Sequence, residues 1–139
     1  MKQVDSDVKN DVGIKSLEED HKVIFHYIEQ LQDIVNEPKN HVYAIGIIER
    51  LIVFFLAHVM KEEQQLKQHL PTNIVEEHIL LHQTELDILD KSIQTLQVKL
   101  TSKNIRTIAE QLNQEFKIHI NRHDRNILQK LIKIKRSLH

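Results

Sequence analysis

The sequence predicts an all-α protein: an antiparallel up-down-up-down four-helix bundle preceded by a polar N-terminal arm. Three observations predict it. Apolar residues recur at helical spacing through four long segments. Only three short breaks separate those segments, at 36–41, 69–73 and 100–104, and short connections make successive helices antiparallel neighbours. Gly and Pro number two each in 139 residues, too few for the tight turns of a sheet.

Residues 1–13 are polar and lack an apolar period, so they are read as an arm, with 14–139 as the bundle. The first helix is expected to begin at Ser16, where Ser16-Leu17-Glu18-Glu19 matches a capping box. Its stripe is Leu17, Ile24, Ile28, Leu31 and Val35, and His21 falls on it. Pro38 marks the break. The second helix is expected from Lys39 to Gln68, with Val42, Ile45, Ile48, Ile52, Phe55 and Val59 inward. Residues 51–56 are apolar all round, as for a helix buried on more than one side. Gly46 costs this helix about 1 kcal/mol against Ala, and close packing with a neighbouring backbone is the expected reason. Pro71 closes it. Asn73 with Glu76 offers a capping box for the third helix, which extends to Leu100. The fourth starts after Thr101-Ser102 and runs through Ile105, Ile108, Leu112 and Phe116 to Ile127, Leu131 and Ile132. Its basic end, Lys130 to Arg136, suits a helix C-terminus.

Composition excludes several classes. Nineteen basic against twenty acidic residues give a charge of −1, so no global field draws in nucleic acid or an anionic membrane. With no cysteine there is neither a disulfide framework nor a thiolate site. No apolar run is expected to reach the ~20 residues of a membrane span, and Met1–Gly13 does not resemble a signal peptide. A cytoplasmic protein, monomeric or weakly self-associating, is expected. Ten histidines are what remains to be explained.

Five of those histidines and two carboxylates mirror one another across the three breaks. His21 and His58 are equidistant from the step between Lys39 and Asn40. His58 with His82, and Glu62 with His78, are equidistant from Leu70. His82 with His119, and His78 with Asp124, mirror about Leu100 and Thr101. In an antiparallel bundle, residues equidistant from a turn share a height. All seven groups would meet in one slab of the core, and seven ligands suit two metals better than one.

The spacings fit this reading. Positions i and i+4 share a helix face, so His58/Glu62 and His78/His82 each present two ligands to one side. Imidazole with carboxylate suits iron, zinc or manganese. One carboxylate can bridge two ions, and acids offset charge that is costly to bury. His119 and Asp124 are five apart, which turns the second by about 140° on a regular helix. A π-bulge or local unwinding is needed to aim both inward. His123, four after His119, is the competitor, and geometry alone leaves the choice open. Charge balance favours Asp124. His26, His41, His69 and His139 are expected to be solvated.

These residues resemble the hemerythrin family, and most closely bacterial hemerythrins. The pattern reads Asp20-His21-Lys22, His58-Val-Met-Lys-Glu62-Glu63, Leu70-Pro71, His78-Ile-Leu-Leu-His82 and His119-Ile120-Asn-Arg-His-Asp124, within residues 14–130. The resemblance favours Asp124 over His123. It implies a non-haem di-iron centre: His78, His82 and His119 on one iron, His21 and His58 on the other, Glu62 and Asp124 bridging. The two-histidine iron keeps a position open to O₂. Phe116 and Ile120 fall where the family lines its O₂ pocket, with Ile24, Phe25, Phe55 and Leu81 as further walls. The chain departs from the family in carrying Asp20 and Glu18 where Gln and Asp are frequent, and in having no Trp. A carboxylate at position 20 would alter the hydrogen bonding behind the ligands.

The expected function is therefore reversible O₂ binding for storage, delivery or sensing, without enzymatic turnover. The alternative is a di-iron redox protein or enzyme on the same scaffold, for peroxide or nitric oxide reduction or iron handling. His123, where related cation-binding proteins place Glu, counts against that alternative.

Overall fold

The chain folds as an all-α four-helix bundle. The computed structural model describes residues 12–137, apart from the side chains at 12–13 and 122–124. Helix α1 spans Val12–Ile34. A 3-10 turn, Pro38–Tyr43, leads into α2, Ala44–His69. Helix α3 is Thr72–Val98 and α4 is Ser102–Ile118. A π-helical turn, His119–Asp124, joins α4 to α5, Arg125–Ser137. Right-handed helical dihedrals on both sides of that turn make α4, the turn and α5 one continuous rod. No strand occurs among the described residues.

Burial follows alternating steps of three and four. On α1 the buried apolar residues are Ile14, Leu17, Ile24, Ile28, Leu31 and, just past its end, Val35. On α3 the buried row is Val75, His78, His82, Glu85, Leu89, Ser92 and Leu96. Such a row is one continuous stripe facing the bundle axis. The apolar part divides into two clusters. The larger holds Ile24, Ile28, Leu31, Leu51, Phe55, Leu89, Leu96, Ile105, Leu112 and Phe116 among others. The smaller holds Ile14, Leu17, Leu66, Val75, Ile127, Leu128 and Leu131. Between them each rod contributes buried polar groups. Each fully buried aliphatic side chain contributes about 1.5–3 kcal/mol, so the two clusters supply the cohesion that the polar layer lacks.

Several local expectations are corrected. The chain is already helical at Val12, so Ser16 lies inside α1 and makes no capping box. Burial of Ile14 and Leu17 against Leu66, Val75 and Leu131 extends the helix backwards, and Ser16 Oγ accepts from Lys61 Nζ at 2.7 Å instead. The rest of the arm lies outside the described residues. Helix α3 also lacks its capping box. Its N-cap is Pro71, whose carbonyl accepts from the Ile74 and Val75 amides. The start of the fourth helix is as expected, with Thr101 Oγ1 accepting from the Asn104 amide at 3.2 Å.

The inward face of α2 holds Ile48, Phe55 and Val59 as expected, with Ile45 and Ile52 half-buried against the core, and differs at its start. Ala44, Ile47, Ile48, Leu51 and Phe55 are buried, whereas Val42 is 67% exposed. Val53 and Leu56 are exposed too, so residues 51–56 are not enclosed on all sides. The segment Pro38–His69 holds an 18-residue window of mean hydropathy 1.9, long and apolar enough to cross a membrane by length and composition, a test that the core helix of a soluble protein also passes. The expectation that no run approaches a span does not hold for it, because Glu49 and Arg50 are the only charges between 45 and 60. Nor does Gly46 serve a close approach: a Cβ there meets nothing within 4 Å. His41, expected in solvent, is buried. Its Nε2 lies 2.9 Å from the Val35 carbonyl and 3.3 Å from Ser102 Oγ, which ties the first connection to the start of α4.

Two substitutions test these assignments. Gly46→Ala should raise stability by about 1 kcal/mol in urea unfolding, because an open helical site gains propensity at no steric cost; a loss would mean the site is crowded. His41→Ala should lower stability by about 1–2 kcal/mol, the cost of a lost hydrogen bond and an unsatisfied carbonyl, and an unchanged midpoint would show that His41 is dispensable.

Candidate metal centre

The polar layer between the apolar clusters gathers six of the seven expected ligands. His78, His82 and His119 offer ring nitrogens that all lie within 4.8 Å of one another, and all three residues are buried. His21, His58 and Glu62 form a second such group, with His21 half-buried. The ring centroids of His78 and His82 are 4.3 Å apart, those of His82 and His119 5.4 Å, and those of His21 and His58 5.3 Å. Metal–ligand bonds of about 2.1 Å put neighbouring donors within this range, so either group could hold an ion.

Glu62 lies between the two groups. Its Oε2 is 3.0 Å from His58 Nε2. Its Oε1 contacts His78 Nε2 and lies 3.4 Å from His82 Nε2. One carboxylate thus turns one oxygen to each cluster. The i,i+4 step from His58 brings Glu62 onto the same face of α2, and the short 69–73 connection brings His78 to the same height.

The outer nitrogens of three rings face further acids. His58 Nδ1 is 2.9 Å from Asp20 Oδ2, His82 Nδ1 is 3.2 Å from Glu63 Oε1, and His119 Nδ1 is 3.4 Å from Glu85 Oε1. A carboxylate at Nδ1 favours the hydrogen there and leaves Nε2 as a donor atom, which is the usual support of a metal-binding histidine. Lys61 Nζ holds Asp20 in turn, at 2.7 Å. Asp20 was expected to act behind the ligands. Lys61, Glu63 and Glu85 were not singled out. The signal for Glu85 was in the sequence, since an acid three after His82 continues the buried row of α3.

The seventh expected ligand, Asp124, ends the π-helical turn. The Arg125 amide donates to the Ile120 carbonyl, an i,i+5 bond, as the five-residue step from His119 to Asp124 required. The side chains of Asp124 and His123 lie outside the described residues.

The expected pocket residues divide. Phe55 is buried, stacked on His58 at 6.2 Å and edge-on to His82 and Phe116 at 5.9 and 5.2 Å. Ile24 and Phe116 are buried in the larger cluster. Phe25 and Ile120 line a groove of about 460 Å³ with His21, Glu18, Lys22, Asn121, Arg125 and Leu128. Leu81 is elsewhere: it borders a smaller cavity of about 140 Å³ beside His78, with Ile74, Ile127 and Lys130.

Asp20→Ala should weaken metal binding at the His21–His58–Glu62 group by about 10–100-fold, the usual cost of losing a carboxylate behind a ligand. Anaerobic cobalt(II) titration of the variant measures this, and equal affinities would mean that Asp20 only pairs with Lys61. No family model, curated protein or solved structure matches the chain, so what the centre does is inferred from its own donors.

Proposed function

We propose that the chain is a hemerythrin-like protein that holds two iron ions and binds O₂ reversibly, for storage, delivery or sensing. The observation that carries the reading is Glu62, with one carboxylate oxygen toward each histidine group. In this reading His78, His82 and His119 hold one iron, His21 and His58 hold the other, and Glu62 and Asp124 bridge them. The unequal donor count leaves the second iron with room for a ligand, on the side where the groove reaches His21.

Helix register supports Asp124 over His123. The buried row Ile105, Ala109, Leu112, Phe116, His119 would continue at 123, 126 and 130 on a regular helix. The buried residues beyond the turn are instead Ile127, Leu128 and Leu131, while Asn126 and Lys130 are exposed. The π-turn inserts one residue, which supports giving Asp124 the register position that His123 would fill on a regular helix. The proposal includes the up-down-up-down path. It is supported by the order of the apolar clusters, since α1 runs from the smaller to the larger, α2 back, α3 forward and α4–α5 back.

When bound, the irons supply the electrons that O₂ takes up on binding and returns on release. The chain does the rest. His58 and His82 present Nε2 because Asp20 and Glu63 hold Nδ1, and Glu85 stands 3.4 Å from Nδ1 of His119. Phe55, Phe116 and Ile24 exclude water from the slab on the side of the larger cluster. The groove at His21 favours a second reading, a di-iron redox protein or enzyme, because Glu18, Lys22, Asn121 and Arg125 give it a polar mouth through which water can reach the centre.

Anaerobic loading with ferrous iron, an iron count, and visible spectra through O₂ and argon cycles separate these readings. Two irons per chain and a colour that appears and fades support reversible binding. A permanent change after one exposure supports the redox reading, and no stoichiometric iron rejects both. Asp124→Ala should lower iron content or abolish the O₂ spectrum, whereas His123→Ala should leave both nearly intact; the reverse pattern would overturn the register assignment.

A further inference from the structure

Glu85 has no place in the ligand set, yet it occupies a core position. It is 5% exposed and sits one step after His82 in the buried row of α3, where Leu89, Ser92 and Leu96 follow. Its Oε1 is 3.4 Å from His119 Nδ1. Its Oε2 is buried and has no hydrogen-bond partner among the described residues. The other two acids behind the histidines are better provided for. Asp20 is held by Lys61, and the Glu63 side chain keeps 20% of its surface in solvent. A carboxyl group buried in a bundle with one oxygen unsatisfied is a net cost to folding. An apolar residue at this position would complete the stripe. The cost requires a return other than stability, and among the described residues the ring at ion-pair distance from Glu85 is that of His119.

His119 stands where the helix changes geometry. It is the first residue of the π-helical turn, where the widened backbone relaxes the alignment that a regular helix imposes on a side chain. Its partners His78 and His82 sit on an unbroken helix.

We propose that Glu85 is a positioning residue for the three-histidine cluster: from α3 its carboxylate takes the Nδ1 hydrogen of His119 and fixes the ring so that Nε2 completes the site with His78 and His82. The inference rests on the two-metal reading above and adds to it a stability cost retained for metal affinity. The apoprotein and the metal-loaded protein should therefore respond to substitution in opposite directions. Glu85→Leu removes the unsatisfied group, so the metal-free variant should melt at a higher temperature than the parent. The same variant should bind cobalt(II) at one of its two sites about 10–100-fold more weakly. Glu85→Gln retains an acceptor for Nδ1–H, and its affinity should fall between the two.

Anaerobic cobalt(II) titration followed by visible absorption, with thermal unfolding of each metal-free protein, makes the test on the full chain. Two cobalt ions in the parent, one weakened step in Glu85→Leu and partial recovery in Glu85→Gln would support the assignment. Two ions in the parent and two equally tight steps in both variants would overturn the role of Glu85 and leave the two-metal reading intact. A metal-free Glu85→Leu protein that melts lower than the parent would also overturn it, by making Glu85 a structural residue. A parent chain that binds no cobalt would reject the two-metal reading itself, and this inference with it. Glu85→Gln, isosteric with the parent, keeps the affinity test decisive even if the leucine variant fails to fold.

Discussion

The structure depends on one constraint: imidazoles and carboxylates share a single layer of a bundle interior that would otherwise be continuous apolar core. Left alone, buried polar groups of this kind cost several kcal/mol. Glu62 meets part of that cost by facing His58 with one oxygen and His78 with the other. Asp20 and Glu63 meet more of it from outside, each in a hydrogen bond to a ring Nδ1. What remains is carried by the apolar clusters on either side, which bury Ile24, Leu31, Phe55 and Leu112 above the layer and Leu17, Leu66 and Leu131 below it. The layer lies between two cores because each rod crosses it once.

The π-helical turn follows from the same constraint. A regular helix after His119 would bring position 123 to the slab, keep Ile127 on that face and carry Leu128 away from it. The i,i+5 bond between Arg125 and Ile120 marks one inserted residue, and beyond it Ile127, Leu128 and Leu131 are buried; in the proposed reading the same insertion serves Asp124. The site explains Glu85 in a similar way, as a departure from the apolar stripe of α3 that the fold itself does not need.

Much of this was legible in the sequence, because burial spacing and short connections are local properties with global consequences. The four segments and the shared height of His21, His58, His78, His82 and His119 came from positions along the chain alone. The need for a π-turn came from a spacing of five. The helix ends were less legible. The capping boxes at Ser16 and Asn73 matched in pattern, but the burial of Ile14 and the carbonyl of Pro71 decided the local structure. Gly46 read as a packing site and faces open space, since a sequence does not say what stands opposite a residue. His41 looked like a loop histidine, and only the approach of Val35 and Ser102 reveals its role. The outer acids were hardest to see. Spacing along α3 marks Glu85 as buried, but which Nδ1 atom each acid faces depends on a neighbouring helix that the spacing does not describe.

The central claim is that the two histidine groups hold two ions joined through Glu62. X-ray absorption at the iron edge of the anaerobically loaded protein tests it most directly, because it reads metal–metal scattering without reference to activity. The account predicts nitrogen and oxygen ligation with a metal–metal shell at about 3.5–4 Å. Nitrogen and oxygen ligation with no metal–metal shell would contradict it, since the ions would then occupy separate sites that Glu62 does not join.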